Sequence, residues 1–242
     1  MVKCVKQLLL VIGVFATFFC IACDANEQSA DATPLPILTI EPSKEPTPSP
    51  LPIITPIAAY EEAKALNPDV IGWIQIPDTN IDHPVVHSHD NEDYVVQSVA
   101  KMPSKSGAIF LDFRAGIDGK HLIIYGMNMS KSQTMFAQLT KYAEHSFYDD
   151  HRTFELTFGD TEYTYKVFAV YSIDRYEARH MNVKFDNDDQ FAYYMNDMLA
   201  VLSAFPVDMR IGANDQVVTL VTADNEDSAN GLFVVHAVRV DE

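Results

Sequence analysis

Beyond Val70 the chain is a series of short apolar runs, each broken by Gly, Pro, Asp or Asn. The runs from Val70 to Ile76, Pro84 to His87, Gly107 to Leu111 and His121 to Tyr125 are rich in β-branched and aromatic residues, which predicts strands. From Arg152 to Phe158 and from Glu162 to Ile173 apolar and polar positions alternate around Gly159-Asp160, the pattern of a hairpin. Two last runs, Gln216 to Thr222 and Leu232 to Ala237, flank an acidic loop between Ala223 and Gly231. Helical spacing is rarer. A short helix from Tyr60 to Leu66 must stop before Asn67-Pro68, because a residue preceding proline is driven out of the α region. The stretches from Asn91 to Ala100 and Thr134 to Ala143 have room for a few turns each. The longest helix opens at Asp186-Asn187-Asp188-Asp189, a capping sequence with first-turn negative charge, and carries Phe191, Tyr194, Met195, Met198, Leu199 and Leu202 as a core-facing stripe. About eight strands without βαβ alternation predict a mainly β, α+β domain built as an antiparallel or mixed barrel.

The first residues follow a different rule. Lys3 and Lys6 precede an uncharged run from Leu8 to Ala22, which ends at Cys23 and turns acidic at Asp24: the profile of an export signal. The run is 15 residues long, short of the ~20 that a spanning helix needs. Ala22-Cys23 resembles the junction of a bacterial lipoprotein signal, with Cys23 as the lipidated residue, although Cys20 stands where that motif usually has an aliphatic side chain. Residues 1–23 are thus expected to be a signal peptide of lipoprotein type, with an uncleaved signal anchor as the alternative, and either places the protein outside the cytoplasmic membrane. Residues 24–59 hold eight of the 13 prolines, Pro34 to Pro56, which excludes regular helix or sheet and predicts an extended tether. The folded domain is then 60–242.

Charge and cysteine usage narrow the chemistry. With 34 acidic against 17 basic side chains the net charge is −17, so nucleic acid is a poor partner. All three cysteines, Cys4, Cys20 and Cys23, precede Asp24, which excludes a disulfide framework, a thiolate metal site and a cysteine nucleophile from the folded part.

Read together, the segments Asn67-Pro68-Asp69-Val70-Ile71-Gly72-Trp73-Ile74, Ser106-Gly107-Ala108-Ile109-Phe110-Leu111-Asp112, Ile124-Tyr125-Gly126, Asn128-Met129 and Phe233-Val234-Val235-His236-Ala237 resemble a class B sortase, in that family's order. The resemblance implies an eight-stranded sortase-like barrel with an N-terminal helix and a long helix before the last two strands. It also implies a surface transpeptidase of Gram-positive bacteria, in which a cysteine thiolate attacks a sorting-signal peptide bond, a histidine protonates the leaving amine and an arginine steadies the oxyanion. The family's histidine lies within Tyr-Gly-His-Asn-Met, its cysteine ends Thr-Leu-Ser-Thr-Cys, and its arginine opens the strand before Phe-Val-Val-His. Here these places hold Met127, Ala223 and Leu232. A thioether transfers no proton at neutral pH, a methyl group is no nucleophile, and an isobutyl group has no charge to offer an oxyanion.

Replacement groups are sparse. Thr222 adjoins Ala223 but alternation directs it to the other face of the strand. Ser228 lies in the acidic loop with no evident base, and His236 sits within an apolar strand as a structural histidine. His83, His87 and His89 offer zinc ligands only if a third joins at the right distance; a solvated loop is the plainer account. Asp186, Asp188 and Asp189 lack the glycine and distant glutamate of a calcium loop and serve as helix caps. Asp224, Glu226 and Asp227 are expected in a solvated loop bordering the cleft, with a recognition role there, repelling anionic ligands or attracting a basic peptide, as the alternative.

The expectation is a catalytically inactive sortase-like surface protein with no cofactor or metal, binding a sorting-signal-like peptide or a surface protein, or assisting a true sortase. The alternatives are an active transpeptidase or hydrolase using other residues of the same barrel, and a structural protein without a groove. An open groove at Met127, Ala223 and Leu232 distinguishes binding from scaffold. For the N-terminus, mass spectrometry of the membrane fraction is predicted to find a chain beginning at lipid-modified Cys23; an intact segment 1–22 on the mature protein would establish the signal anchor instead.

Overall fold

The computed structural model describes residues 55–177, 181–224 and 230–240, with the side chains of 198–201 outside the description. The expected signal segment, Cys23 and the tether up to residue 54 lie outside the described residues.

Helix α1, Pro56–Leu66, begins inside the stretch expected to be tether. Thr55 caps it by accepting from the Ala58 amide (3.3 Å), and Pro56 occupies the first turn, where its missing N–H costs nothing. The last proline of the rich segment is therefore a helix start. The helix ends as expected at Asn67, which is extended and buried; its side-chain amide donates to Tyr94 Oη and to the Val99 carbonyl, both at 2.8 Å. Tyr60 of α1 packs with Val70, Val86, Tyr94, Ala108 and Phe110 on the outside of the sheet.

The strands are β1 Val70–Gln75, β2 Asp82–His87, β3 Ile109–Leu111, β4 His121–Tyr125, β5 Asn128–Met129, β6 Thr134–Met135, β7 Thr153–Phe158, β8 Thr161–Asp174, β9 Val217–Asp224 and β10 Gly231–Val240. Eight close a barrel in the order β1-β2-β3-β4-β9-β10-β8-β7, with β5 and β6 as a separate small hairpin. The pairs β2/β3 and β4/β9 are parallel and the others antiparallel, so the barrel is mixed. Its interior is filled by Ile74, Val85, Leu111, Leu122, Ile124, Leu156, Leu220 and Val235 among others.

The helical expectations are partly corrected. In the stretch from Asn91 to Ala100 only Asp93–Val96 (α2) is helical, since the chain then turns at Gln97 into an isolated bridge with Pro103. The stretch from Thr134 to Ala143 begins as β6 and continues as a 3-10 helix, Ala137–Ala143, followed by a separate helix α3, His145–Asp150. The long helix α4, Asp188–Leu202, is capped by Asn187, whose side chain accepts from the Gln190 amide.

The outer face of β4, β9, β10 and β8 is covered. Phe191 and Met195 of α4, with Phe185 and Tyr194, pack onto Val217, Val238, Phe168 and Ala169. Strands buried on both faces explain why β9 and β10 read as continuous apolar runs. The polar groups beneath this cover satisfy one another. His121 Nδ1 lies 2.6 Å from the Asn182 carbonyl and Nε2 2.6 Å from Thr219 Oγ1; Thr219 Oγ1 lies 2.6 Å from His236 Nδ1, and His236 Nε2 2.7 Å from Tyr171 Oη. A carbonyl only accepts, so His121 Nδ1 donates to it. With both rings neutral, Thr219 then donates to His121, His236 donates to Thr219 and Tyr171 donates to His236. Burial pushes the Tyr171 phenol up, which keeps its proton available for that bond.

A second buried node lies at the end of β3. The Asp112 carboxylate, with no exposed surface, accepts from Arg114 through its backbone amide, Nε and a terminal nitrogen, from Asn91 Nδ2 and from Tyr125 Oη. Burial alone would raise its pKa, but the hydrogen bonds and charge of Arg114, with Asn91, outweigh that and hold it below the usual aspartate value. The same guanidinium donates to the Met181 carbonyl (3.1 Å), tying the start of the segment before α4 to the barrel.

Asp112→Asn is predicted to cost about 3 kcal/mol, because it strands a partly buried guanidinium. A depressed pKa contributes stability that is complete above the unfolded value and lost as pH falls through the folded one, so the gap between wild type and variant should narrow from pH 7 to about pH 3. Urea midpoints at both pH values check this, and a gap independent of pH would show that the carboxylate's charge is not what stabilises.

Candidate functional site

The end of β4 is held against the end of β9. The Gly126 amide donates to the Val221 carbonyl (3.1 Å), Thr222 Oγ1 donates to the Gly126 carbonyl (2.8 Å), and Asn128 Nδ2 donates to the Ala223 carbonyl (2.9 Å). Gly126 is required by the close approach of Phe136, whose ring atom would stand 2.6 Å from any added Cβ. Across the ladder, Leu232 of β10 pairs with Ala223 on one side and with Ile173 of β8 on the other. Met127, Ala223 and Leu232 therefore come from three separate parts of the chain to one place.

They line a cavity of about 410 Å³ together with Asn91, Val95, Phe110, Tyr125, Arg175, Met181, Val221 and Thr222. Among the described residues Met127 and Leu232 line this cavity and do not fill it. Its lining is mainly aliphatic, aromatic and thioether, and Met127 and Val95 are each just over one third exposed at its mouth. Tyr125 stays protonated, because burial and the neighbouring Asp112 charge both push its phenol up.

The other expected residues sort as follows. Thr222 is buried and its hydroxyl is engaged with the Gly126 carbonyl, as an edge residue. His236 is buried and bonded at both ring nitrogens. His83 and His87 lie at opposite ends of β2, and His89 lies beyond the strand, so the three do not converge on a metal site. Burial lowers the pKa of His83. A different trio, His89, Asp90 and Asp93, brings ligand atoms within 4.8 Å of one another on the exposed turn before α2, where the Asp90 carboxylate already accepts from the Glu92 and Asp93 amides. Asp188 lies 3.6 Å from Lys120 and Asp186 accepts from Gln190, consistent with capping. Asp224 is a correction: β9 extends through it, pairing it with Gly231, and its buried carboxylate accepts from Ser172 Oγ (2.5 Å) instead of bordering the cleft in solvent. Glu226, Asp227 and Ser228 lie outside the described residues.

Sequence reasoning missed Arg175, Met181, Asn91 and Val95 as groove residues. Val95 stands on the single turn of α2 and Arg175 just past β8, where the pairing with β10 places it, while Asn91 and Met181 stand on connections that the contacts of Asp112 and Arg114 bring to the cleft.

Comparison with known proteins agrees with this architecture. Residues 74–240 match the Sortase domain family. Sortase B of Listeria monocytogenes is 34% identical over 177 residues, covering 72% of this chain and 71% of that protein. The structure of Clostridium perfringens sortase B superposes with a TM-score of 0.70 at 31% identity, covering 75% of this chain and 99% of that one. The Staphylococcus aureus sortase B–substrate complex superposes with a TM-score of 0.68 at 26% identity, covering 75% and 84%. An eight-stranded mixed barrel, the match along β1 to β10 and the similarity to class B enzymes lead to one assignment: the chain belongs to the sortase family, among relatives of sortase B.

Proposed function

We propose that this protein is a catalytically inactive member of its family that binds an extended peptide or protein segment at the cell surface. The observation that carries the reading is the combination at one cleft. The places that the resemblance assigns to acid, nucleophile and oxyanion partner hold Met127, Ala223 and Leu232, and among the described residues these three line a cavity and do not fill it. Loss of reacting groups without loss of the groove leaves recognition as what the site can do. That Staphylococcus aureus sortase B has been solved as a substrate complex supports a peptide as occupant of the corresponding groove here. Thr222 is a poor replacement nucleophile: its hydroxyl donates to a carbonyl, and no base is placed to take its proton among the described residues.

The same proposal sets the protein outside the membrane, held by a lipid on Cys23 or by an uncleaved signal segment, with the proline-rich stretch as spacer. No helix among the described residues is long and apolar enough to cross a membrane. A surface protein bearing a suitable peptide, or a true sortase that it assists, is the kind of partner this placement allows.

The unmodified protein is predicted to cleave no peptide. Ala223→Cys alone should restore little, since its thiol lacks an activating base and a cation. The triple variant Met127→His, Ala223→Cys and Leu232→Arg should carry a thiol that iodoacetamide alkylates about tenfold faster than the single variant at mildly acidic pH, because a neighbouring imidazolium stabilises thiolate. Transpeptidation by the unmodified protein that survives mutation of Thr222 would overturn the reading.

A further inference from the structure

We propose that the groove recognises the free C-terminal carboxylate of an extended apolar peptide and that Arg175 binds it; this deepens the peptide-binding reading and rests on it. Among the described residues lining the cavity, Arg175 is the one with a permanent charge. Its position follows from the ladder. Leu232 pairs with Ile173 and Gly231 with Asp174, and the Arg175 amide donates to the Asn230 carbonyl (3.0 Å), so the pairing continues one step past β8. Side chains two apart on a strand share a face. Arg175 therefore extends from the same face as Ile173 and Leu232, two residues beyond Ile173, the direct partner of Leu232, and so diagonal to Leu232 at about 7–8 Å.

Arg175 is exposed, and among the described residues its one side-chain bond is a long one, 3.4 Å from Nε to the Asn230 carbonyl. No carboxylate pairs with it among the described residues. Arg114, the other described arginine near the groove, is committed to Asp112 and to the Met181 carbonyl. Asp224, close in sequence to Ala223, alternates to the opposite face and accepts from Ser172.

A guanidinium with open terminal nitrogens beside an apolar wall is matched best by a carboxylate. Two parallel charge-assisted bonds form where a peptide carbonyl offers one neutral acceptor, and the low-dielectric wall weakens screening. The floor formed by Val221, Ala223 and Leu232 offers no side-chain hydrogen-bonding group. A chain that continued across it would desolvate further backbone amides against those side chains, whereas a chain that ends there places its carboxylate at backbone depth beside Arg175.

The test uses the full-length protein, immobilised, and three pools of N-acetylated hexapeptides randomised at the first five positions: C-terminal acids, C-terminal amides, and amides with aspartate at the last position. Mass spectrometry reads retention. The expected result is that acids are retained about tenfold over both amide pools, as one charge-assisted bidentate contact implies. Arg175→Gln should bring acids down to the amide level with the preference for apolar residues unchanged, and Arg175→Lys should restore part of the difference. An unchanged thermal midpoint for the exposed-site variants confirms that they fold. Equal retention of acids and amides would overturn the carboxylate proposal and leave peptide binding standing. Retention of the aspartyl amides equal to that of the acids would overturn the assignment to a chain terminus. Acid retention unaffected by Arg175→Gln would overturn the assignment to Arg175, and no retention of any pool would overturn the peptide-binding reading as well.

Discussion

Burial of one sheet on both faces is the constraint from which most of this molecule follows. Strands β4, β9, β10 and β8 have the barrel core on one side and α4 with the segment before it on the other. Polar side chains on the covered face have no water to turn to, so each must find a partner within the protein. His121, Thr219, His236 and Tyr171 do so in a single directed series that ends on the Asn182 carbonyl. The series fastens the covering segment to the sheet, and Arg114 fastens the same segment one residue earlier, at Met181. The groove opens at the end of this face, with Met181 and Arg175 at its edge and Ala223 and Leu232 on its floor.

The strands were legible because β-branched runs between breakers carry their own signal, and an antiparallel or mixed barrel was expected from the missing βαβ alternation. The closure of β7 onto β1 and the parallel pairing of β4 with β9 were not, since both join segments far apart in the chain and neither leaves a local trace. Helix α3 escaped for a different reason: Glu144 provides no side-chain cap, and Tyr148 is its single buried residue. At α1 the error ran the other way, where a proline taken as linker composition was a helix start. Of the groove, the positions embedded in strand motifs were readable and those delivered by packing were not. Arg175 lies next to Leu232 only through strand pairing, and Val95 reaches the cleft from the turn of helix at α2.

Family membership and the chemistry of this site pull in different directions. The barrel fold is that of a sortase. The side chains of Met127, Ala223 and Leu232 are a thioether, a methyl and an isobutyl group, which are suited to contact and not to proton transfer or acyl chemistry. Asp112 and Tyr125 nevertheless keep the wall in place through a buried ionic node. Such a node costs desolvation and stabilises only when well bonded, and here both oxygens of the Asp112 carboxylate are engaged.

The ladder between β8 and β10 has a consequence for how such proteins diverge. Neighbours across a sheet are strangers in sequence, so a charge lost from one strand can be carried by the next while its place in space hardly moves. Read column by column, Leu232 and Arg175 are unrelated positions; on the sheet they stand on adjacent strands, so chains of this fold can differ more in their sequences than in the surfaces they present.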